Sequence, residues 1–226
     1  IEKEIVSWCK DASYFDYTEK LGTRQEHQDG LFYIGDPSAM AAVECLNIKE
    51  NSQVIDLCSA PGGKSIHALN FLGPQGKLIS NEIDFKRSKT LHENISRIAG
   101  AIKDDPYIQV TNEKPIDLVN PREAIADVVI VDAPCSGEAM MRRSELARRQ
   151  WSLKLAVKMA EIQVELLDVA SQLVRPGGQI GYFTCTFNEV ENENVIDKFL
   201  ETHSDFKVVA PDILKEKLGD ENIAIR

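Results

Sequence analysis

"IDLCSAPGGKS", residues 55–65, runs an apolar segment into an Ala-Pro-Gly-Gly turn that ends on a lysine. The apolar part, "QVIDLC" over 53–58, has the length and β-branched content of a buried strand. "GKSIHALNFL" over 63–72 has helical character, so Gly62 and Gly63 occupy a strand-to-helix turn where positive φ and close backbone approach are affordable. Working outward, the same alternation repeats. Helix is predicted over 36–46, with Asp36 as N-cap and Pro37 at the first helical position. Strand is predicted over 77–83, helix over 85–99, and strands over 107–112 and 126–134. A long helix is predicted over 152–175, stopped by "PGG" at 176–178, then a strand over 179–185 and a helix over 188–203. Alternation at this spacing predicts an α/β fold: a mostly parallel sheet with right-handed crossovers and helices on both faces. Unbroken apolar strands fit burial on both sides.

The chain has 226 residues, enough for one buried domain and a small appendage. Residues 1–35 mix aromatics with turn formers and read as short strands and loops outside the core, the remnant of a longer N-terminal region. Residues 36–226 read as the catalytic domain, cut short at its C-terminal end. The chain starts at Ile1 instead of Met, so the natural N-terminus is expected to lie upstream. Five cysteines without a CxxC pair predict reduced thiols, no metal and a cytoplasmic setting. No apolar stretch approaches the roughly 18 residues of a membrane span. The net charge of −10 argues against a nucleic-acid partner unless basic groups cluster. They do cluster over 139–158, where six basic residues face one acid. That stretch reads either as a solvated helix face or as a phosphate-binding one.

In an open parallel sheet, ligands bind beyond the carboxyl ends of the strands. Those ends carry Asp56 and the 58–64 turn, Asn81-Glu82, Thr111-Asn112, Asp132 to Cys135, and Thr184-Cys185. The glycine turn can cradle a nucleoside-like ligand, and an acid at Glu82 can accept from both ribose hydroxyls. The string lacks G-x-G-x-x-G, which speaks against a nicotinamide dehydrogenase. Cys9 and Cys45 read as small core residues. Cys135 and Cys185 instead fall at the ligand edge, and Asp132 precedes Cys135 closely. The four histidines read as surface or core fillers, which leaves a thiol hydrolase without a base.

Two thiols, an acid and a nucleoside cofactor suit methyl transfer to carbon 5 of a pyrimidine. A thiolate adding to carbon 6 makes carbon 5 nucleophilic, and elimination later frees the thiol. Nearby cations or amide dipoles would have to favour the thiolate. Asp132 is the candidate acid at ring nitrogen 3. Residue type alone does not rank the two thiols.

"DLCSAPGGKS", "NEID", "DAPCSGEAMMRR" and "RPGGQIGYFTCTFNEVENENVI" resemble the motif series of the Nol/Nop/Sun RNA cytosine-5 methyltransferases. "HQDGLFYIGDPSAM" is similar to the segment before the first motif in bacterial enzymes of the RsmF type. The resemblance runs from about Trp8 to about Phe206. It implies a class I, Rossmann-like methyltransferase sheet with S-adenosyl-L-methionine as cofactor. The residues it implies for cofactor binding are Cys58, Ser59, Ala60, Pro61, Gly62, Gly63, Lys64, Glu82, Arg87, Asn112 and Asp132. It implies Cys185 as nucleophile, Cys135 in product release, Asp132 on the cytosine and Lys64 orienting the base. It implies RNA as partner, ribosomal before transfer RNA, with Arg142, Arg143, Arg148 and Arg149 as contacts. Where the family carries an Asp near the adenine this chain has Lys114, so Asn112 or Glu113 stands in its place. The RNA-binding domain of family members is absent from the sequence, so RNA affinity is expected to come from a missing domain or partner. These departures keep a second reading open: a catalytically silent, cofactor-binding RNA adaptor or ribosome assembly factor.

Overall fold

The computed structural model describes residues 4–9, 11–100, 105–119 and 124–211. Its centre is β1 (Gln53–Asp56), whose last three residues are buried. It pairs in parallel with β2 (Lys77–Asn81) on one side and β4 (Ala126–Asp132) on the other. Beyond these lie β3 (Ile108–Thr111) and β5 (Val174–Phe183), giving a five-stranded sheet of order β3-β2-β1-β4-β5. Every pairing is parallel, so the predicted sheet class holds. The order reverses between β1 and β4, and that switch point opens a crevice at the carboxyl ends of both.

Period-2 alternation divides the strand side chains between two faces. Ile55, Val129 and Val131 pack with Leu166, Leu167 and Ala170 of α6 (Leu153–Leu173) and with Val195 and Phe199 of α7 (Glu193–Thr202). Val54, Leu78, Val128 and Ile130 face the other way, onto Val43 of α2 (Pro37–Glu44) and Ala68 of α3 (Gly63–Leu69). On that face Leu91 and Ile95 of α4 (Phe85–Ala99) join Ile66 and Ala60. Asp36 caps α2 by accepting from the Ser38 N–H at 2.9 Å, with Pro37 first in the helix, as its sequence predicts.

Several expected boundaries move. The "PGG" stop falls inside β5. Val174 already pairs with Ala126, and the register shifts before Gln179 meets Val128. The extra residues bulge there, with Gly177 at φ 80°. The last helix begins only at Glu193, because the Asn188 to Asn192 side chains hydrogen-bond across the cysteine loops. The basic stretch over 139–158 is not one helix. Ser144 caps a short α5 (Glu145–Gln150), and Ser152 caps α6 by accepting from the Leu155 N–H at 3.1 Å.

The N-terminal residues depart from expectation most. Among the described residues of 4–35 there is an isolated antiparallel bridge, Ile5 to Ser13, two 3-10 turns and a short α1 (Gln25–Gln28), but no strand. Yet Val6 and Cys9 are each only 2% exposed and belong to the core. Arg97 Nη1 donates to the carbonyl of His27 at 2.8 Å, fastening this segment to α4. The C-terminal residues 212–226 lie outside the described residues.

Candidate active site

Gly62 turns the chain out of the sheet at φ 112°. A Cβ there would lie 3.1 Å from Leu91 Cδ1 as well as in a strained backbone region. Gly63, contrary to expectation, has no positive φ; a Cβ on it would face only Tyr33, at 3.8 Å. Behind the turn, Asp56 is wholly buried. Ser65 Oγ donates to its Oδ2 at 2.7 Å, and Ser80 Oγ donates to Ser65 at 2.8 Å. Burial pushes the Asp56 carboxyl up to about 7, the Ser65 hydrogen bond partly opposing it. Cys58 is pushed up to about 12 by burial, with the nearby Asp56 and Glu82 charges adding to it. It is therefore a neutral thiol.

Glu82 ends β2's extension and is 2% exposed. Its Oε1 accepts the Asp84 N–H at 2.9 Å. Its Oε2 lies 3.1 Å from Arg87 Nη1 but without hydrogen-bonding geometry, which leaves a buried acceptor open. Arg87 Nη2 donates to the carbonyl of Ala60 at 2.6 Å. It reaches there because Asp84 caps α4 through the Lys86 and Arg87 N–H groups, fixing its first turn. Arg87 thus clamps the Pro-Gly-Gly turn to Glu82. Asn112 uses its side-chain amide on the carbonyls of Glu82 and Ile83, at 2.6 and 3.0 Å. It positions the acid.

Across the crevice, Lys64 Nζ stands 2.7 Å from Asp132 Oδ2. This joins the start of α3 to the end of β4 at the switch point. Cys135 and Cys185 follow β4 and β5, and their sulfurs lie 3.1 Å apart. The Cys185 backbone N–H donates to Cys135 Sγ at 3.3 Å. The pair behaves asymmetrically. The hydrogen bond from Cys135 draws Cys185 down to about 7, against burial and the Asp132 charge. The same bond, with burial, pushes Cys135 up. The contact thus biases Cys185 towards the thiolate and Cys135 away from it, a difference that residue type did not supply.

Neither Glu138 nor Glu191 figures among the sequence-derived site residues, yet both hold the thiol loops. Glu138 Oε2 accepts from Thr186 Oγ1 at 2.8 Å and from the Phe187 N–H at 2.6 Å. Burial opposes ionisation of Glu138, but these hydrogen bonds win and its carboxyl sits below the usual range. Glu191 is fully buried and accepts from Ser136 N–H and Gln163 Nε2 at 2.8 and 3.0 Å. In sequence, Glu191 is one acid in the polar run "NEVENEN" and carries no local signal of burial. Glu138, just after the second cysteine motif, could have been suspected by position.

Arg142 and Arg143 lie on the 3-10 turn Glu138–Arg142 and its C-cap, on the same rim: Ala139 N–H donates to the Cys185 carbonyl at 3.1 Å. Arg148 and Arg149 both pair with Glu145, at 3.2 and 3.3 Å. All four arginines are exposed. No helix among the described residues is long and apolar enough to cross a membrane.

The chain matches the family model of the 16S rRNA methyltransferase RsmB/F over residues 43–223. It is 34% identical over 206 residues to ribosomal RNA small subunit methyltransferase F of Salmonella paratyphi A, covering 88% of this chain and 42% of that protein. The chain thus spans less than half the length of the curated relatives it matches. Among solved structures, PH0851 superposes with a TM-score of 0.77 at 27% identity, over 93% of this chain and 47% of that one. NSun6 from Pyrococcus horikoshii with SFG gives 0.67 at 26% identity, over 80% and 45%. The fold is the Rossmann-like one of S-adenosylmethionine-dependent methyltransferases. The resemblance read from the motifs is borne out: this chain belongs to the RsmB/F family of 16S rRNA methyltransferases.

Proposed function

We propose that the chain is the catalytic part of an RNA (cytosine-5-)-methyltransferase acting on ribosomal RNA, with S-adenosyl-L-methionine as methyl donor. The observation that carries this is the thiol pair. Two sulfurs stand 3.1 Å apart at the strand ends, and the more exposed one is drawn down to about 7.

The donor-site residues fit a nucleoside cofactor. Glu82 Oε2 is a buried acceptor without a hydrogen-bond donor, suited to a ribose hydroxyl. The turn from Cys58 to Lys64 lies beside it, held there by Arg87 on the Ala60 carbonyl. When bound, the cofactor supplies an electrophilic sulfonium methyl. Arg87 and Asn112 hold the acceptor in place. Asp132 and Lys64 belong to both halves of the crevice. Paired, they present one acceptor and one set of N–H donors to the edge of a pyrimidine.

The Cys185 thiolate adds to carbon 6 of an unstacked cytosine, forming an S–C bond and moving electron density to carbon 5. Carbon 5 takes the methyl group. That transfer leaves the donor as a neutral thioether. A base, supplied by water or a side chain of the crevice, then takes the carbon 5 proton while the C6–S bond breaks with its electrons on sulfur, restoring the ring and the Cys185 thiolate. The Cys135 thiol, next to the S–C bond, is placed to assist that release. Arg142, Arg143, Arg148 and Arg149 form the RNA-facing rim, with residues 36–226 as the catalytic unit in the cytoplasm.

The test is methyl transfer from labelled S-adenosylmethionine to ribosomal RNA, read by bisulfite sequencing. Cys185→Ala should abolish transfer, and Cys135→Ala should accumulate a covalent protein–RNA adduct. Full activity in Cys185→Ala would overturn the mechanism. Cofactor binding without any methylated cytosine would favour a silent RNA adaptor.

A further inference from the structure

Cys9, Glu44 and His67 come from three segments, the first between the bridged residues Ile5 and Ser13, the others on α2 and α3. Their ligand atoms all lie within 4.8 Å of one another. His67 Nε2 is 3.1 Å from Glu44 Oε1 and 3.9 Å from Cys9 Sγ. His67 Nε2 faces both the Glu44 carboxylate and the Cys9 sulfur, and Cys9 also hydrogen-bonds Glu44, so the three ligand atoms close on one another as a triangle.

That triangle has the dimensions of three ligands around one metal ion. Zinc bonds of about 2.3 Å to sulfur and about 2.0 Å to nitrogen or oxygen, at tetrahedral angles, give edges of about 3.6 Å for S···N and about 3.3 Å for N···O. The observed edges differ from these by a few tenths of an ångström. Burial and the Glu44 and Asp11 carboxylates push the Cys9 thiol up, so the sulfur is a thiol unless a cation offsets that charge. The Asp11 backbone N–H bonds to the Cys9 sulfur, and the Asp11 carboxylate bears on both Cys9 and His67. On the far side of the ring, the Asn70 side-chain amide stands 3.4 Å from His67 Nδ1. With its oxygen turned inward it would accept the Nδ1 proton and aim Nε2 at the ion.

We propose that Cys9, Glu44 and His67 form a structural site for zinc, with water in the fourth position. This departs from the expectation of no metal, which rested on the absence of paired cysteine spacing. The ligands are scattered over sequence, and only packing of the N-terminal segment against α2 and α3 assembles them. A bound ion would pin the N-terminal segment to α3, the helix that opens at the Gly62-Gly63-Lys64 turn. The site would therefore brace the cofactor turn from behind.

The experiment uses the full chain carrying Cys135→Ser and Cys185→Ser, so that the crevice thiols do not compete for the probe. Cobalt(II) is titrated, then displaced with zinc. The expected result is one equivalent bound, with a thiolate-to-cobalt charge-transfer band that zinc abolishes and a raised unfolding midpoint. Cys9→Ala should lose the band, and His67→Gln should weaken binding by about tenfold or more. A band that survives Cys9→Ala overturns the site. Should both variants misfold, the parent chain still decides: no saturable thiolate band means no metal. None of these readouts depends on methyl transfer.

Discussion

Glu191, a side chain that solvent does not reach, accepts the backbone N–H of Ser136 at 2.8 Å. That bond ties the segment after β5 to the loop after β4, so the two cysteines share one rigid support. Gln163 of α6 donates to the same carboxylate oxygen at 3.0 Å and to the Pro134 carbonyl at 2.8 Å. Glu191→Ala would leave buried donors unmet. The expected cost is about 2–4 kcal/mol of stability in urea unfolding. A change below about 0.5 kcal/mol, typical of an ordinary surface substitution, would show that the network does not hold the loops.

The asymmetric thiols make a pH prediction. The contact with Cys135 draws Cys185 down to about 7, so its thiolate fraction should rise with pH up to about that value. Alkylation of Cys185 by iodoacetamide, followed by mass spectrometry, should climb about tenfold per pH unit below the midpoint and then level off. Cys135→Ala removes the donor. The midpoint should then move up, towards the roughly 8.5 of a free thiol. An unchanged midpoint would mean that Cys135 does not set the charge on Cys185.

Asp56 should make stability depend on pH in the opposite sense to most carboxylates. Its folded-state value, about 7, lies above that of an exposed Asp. The folded state therefore holds a proton that the unfolded state gives up above about pH 4. This contribution is fully present below that pH and is lost as pH rises through about 7. Over the window the loss amounts to roughly 1.4 kcal/mol per pH unit. Subtracting the urea-unfolding profile of Asp56→Asn from that of the parent should reveal this slope. A flat difference between pH 5 and pH 7 would refute the assignment.

The two glycines of the turn should respond differently. Gly62→Ala places a side chain at φ 112° and 3.1 Å from Leu91 Cδ1, which should cost about 1–2 kcal/mol in thermal unfolding. Gly63→Ala meets only Tyr33 at 3.8 Å and should unfold at the parent temperature. Any effect of Gly63→Ala should appear instead in calorimetric titration with S-adenosylmethionine. Equal destabilisation by both would contradict the backbone geometry.

The strands and their ends were readable from residue order alone. Apolar runs of strand length, an Asp-Pro helix start and a Gly-Gly turn are local signals, because each depends on propensities within a few residues. They sufficed for the parallel sheet and for the edge where Glu82, Asp132, Cys135 and Cys185 gather. The RPGG segment misled because a sheet edge can absorb extra residues as a bulge, which depends on the partner strand and not on the segment itself.

Residue order therefore specified the sheet class, the family and the sheet edge where the candidate site residues gather. Three-dimensional packing alone decided that the two sulfurs touch, how Glu138 and Glu191 brace the two loops, and that Cys9 sits beside Glu44 and His67. The physical reason is range. Secondary structure follows from neighbours in the chain, whereas burial, proton affinity and ligand geometry arise from contacts between residues tens of positions apart, made only when the sheet closes over its helices.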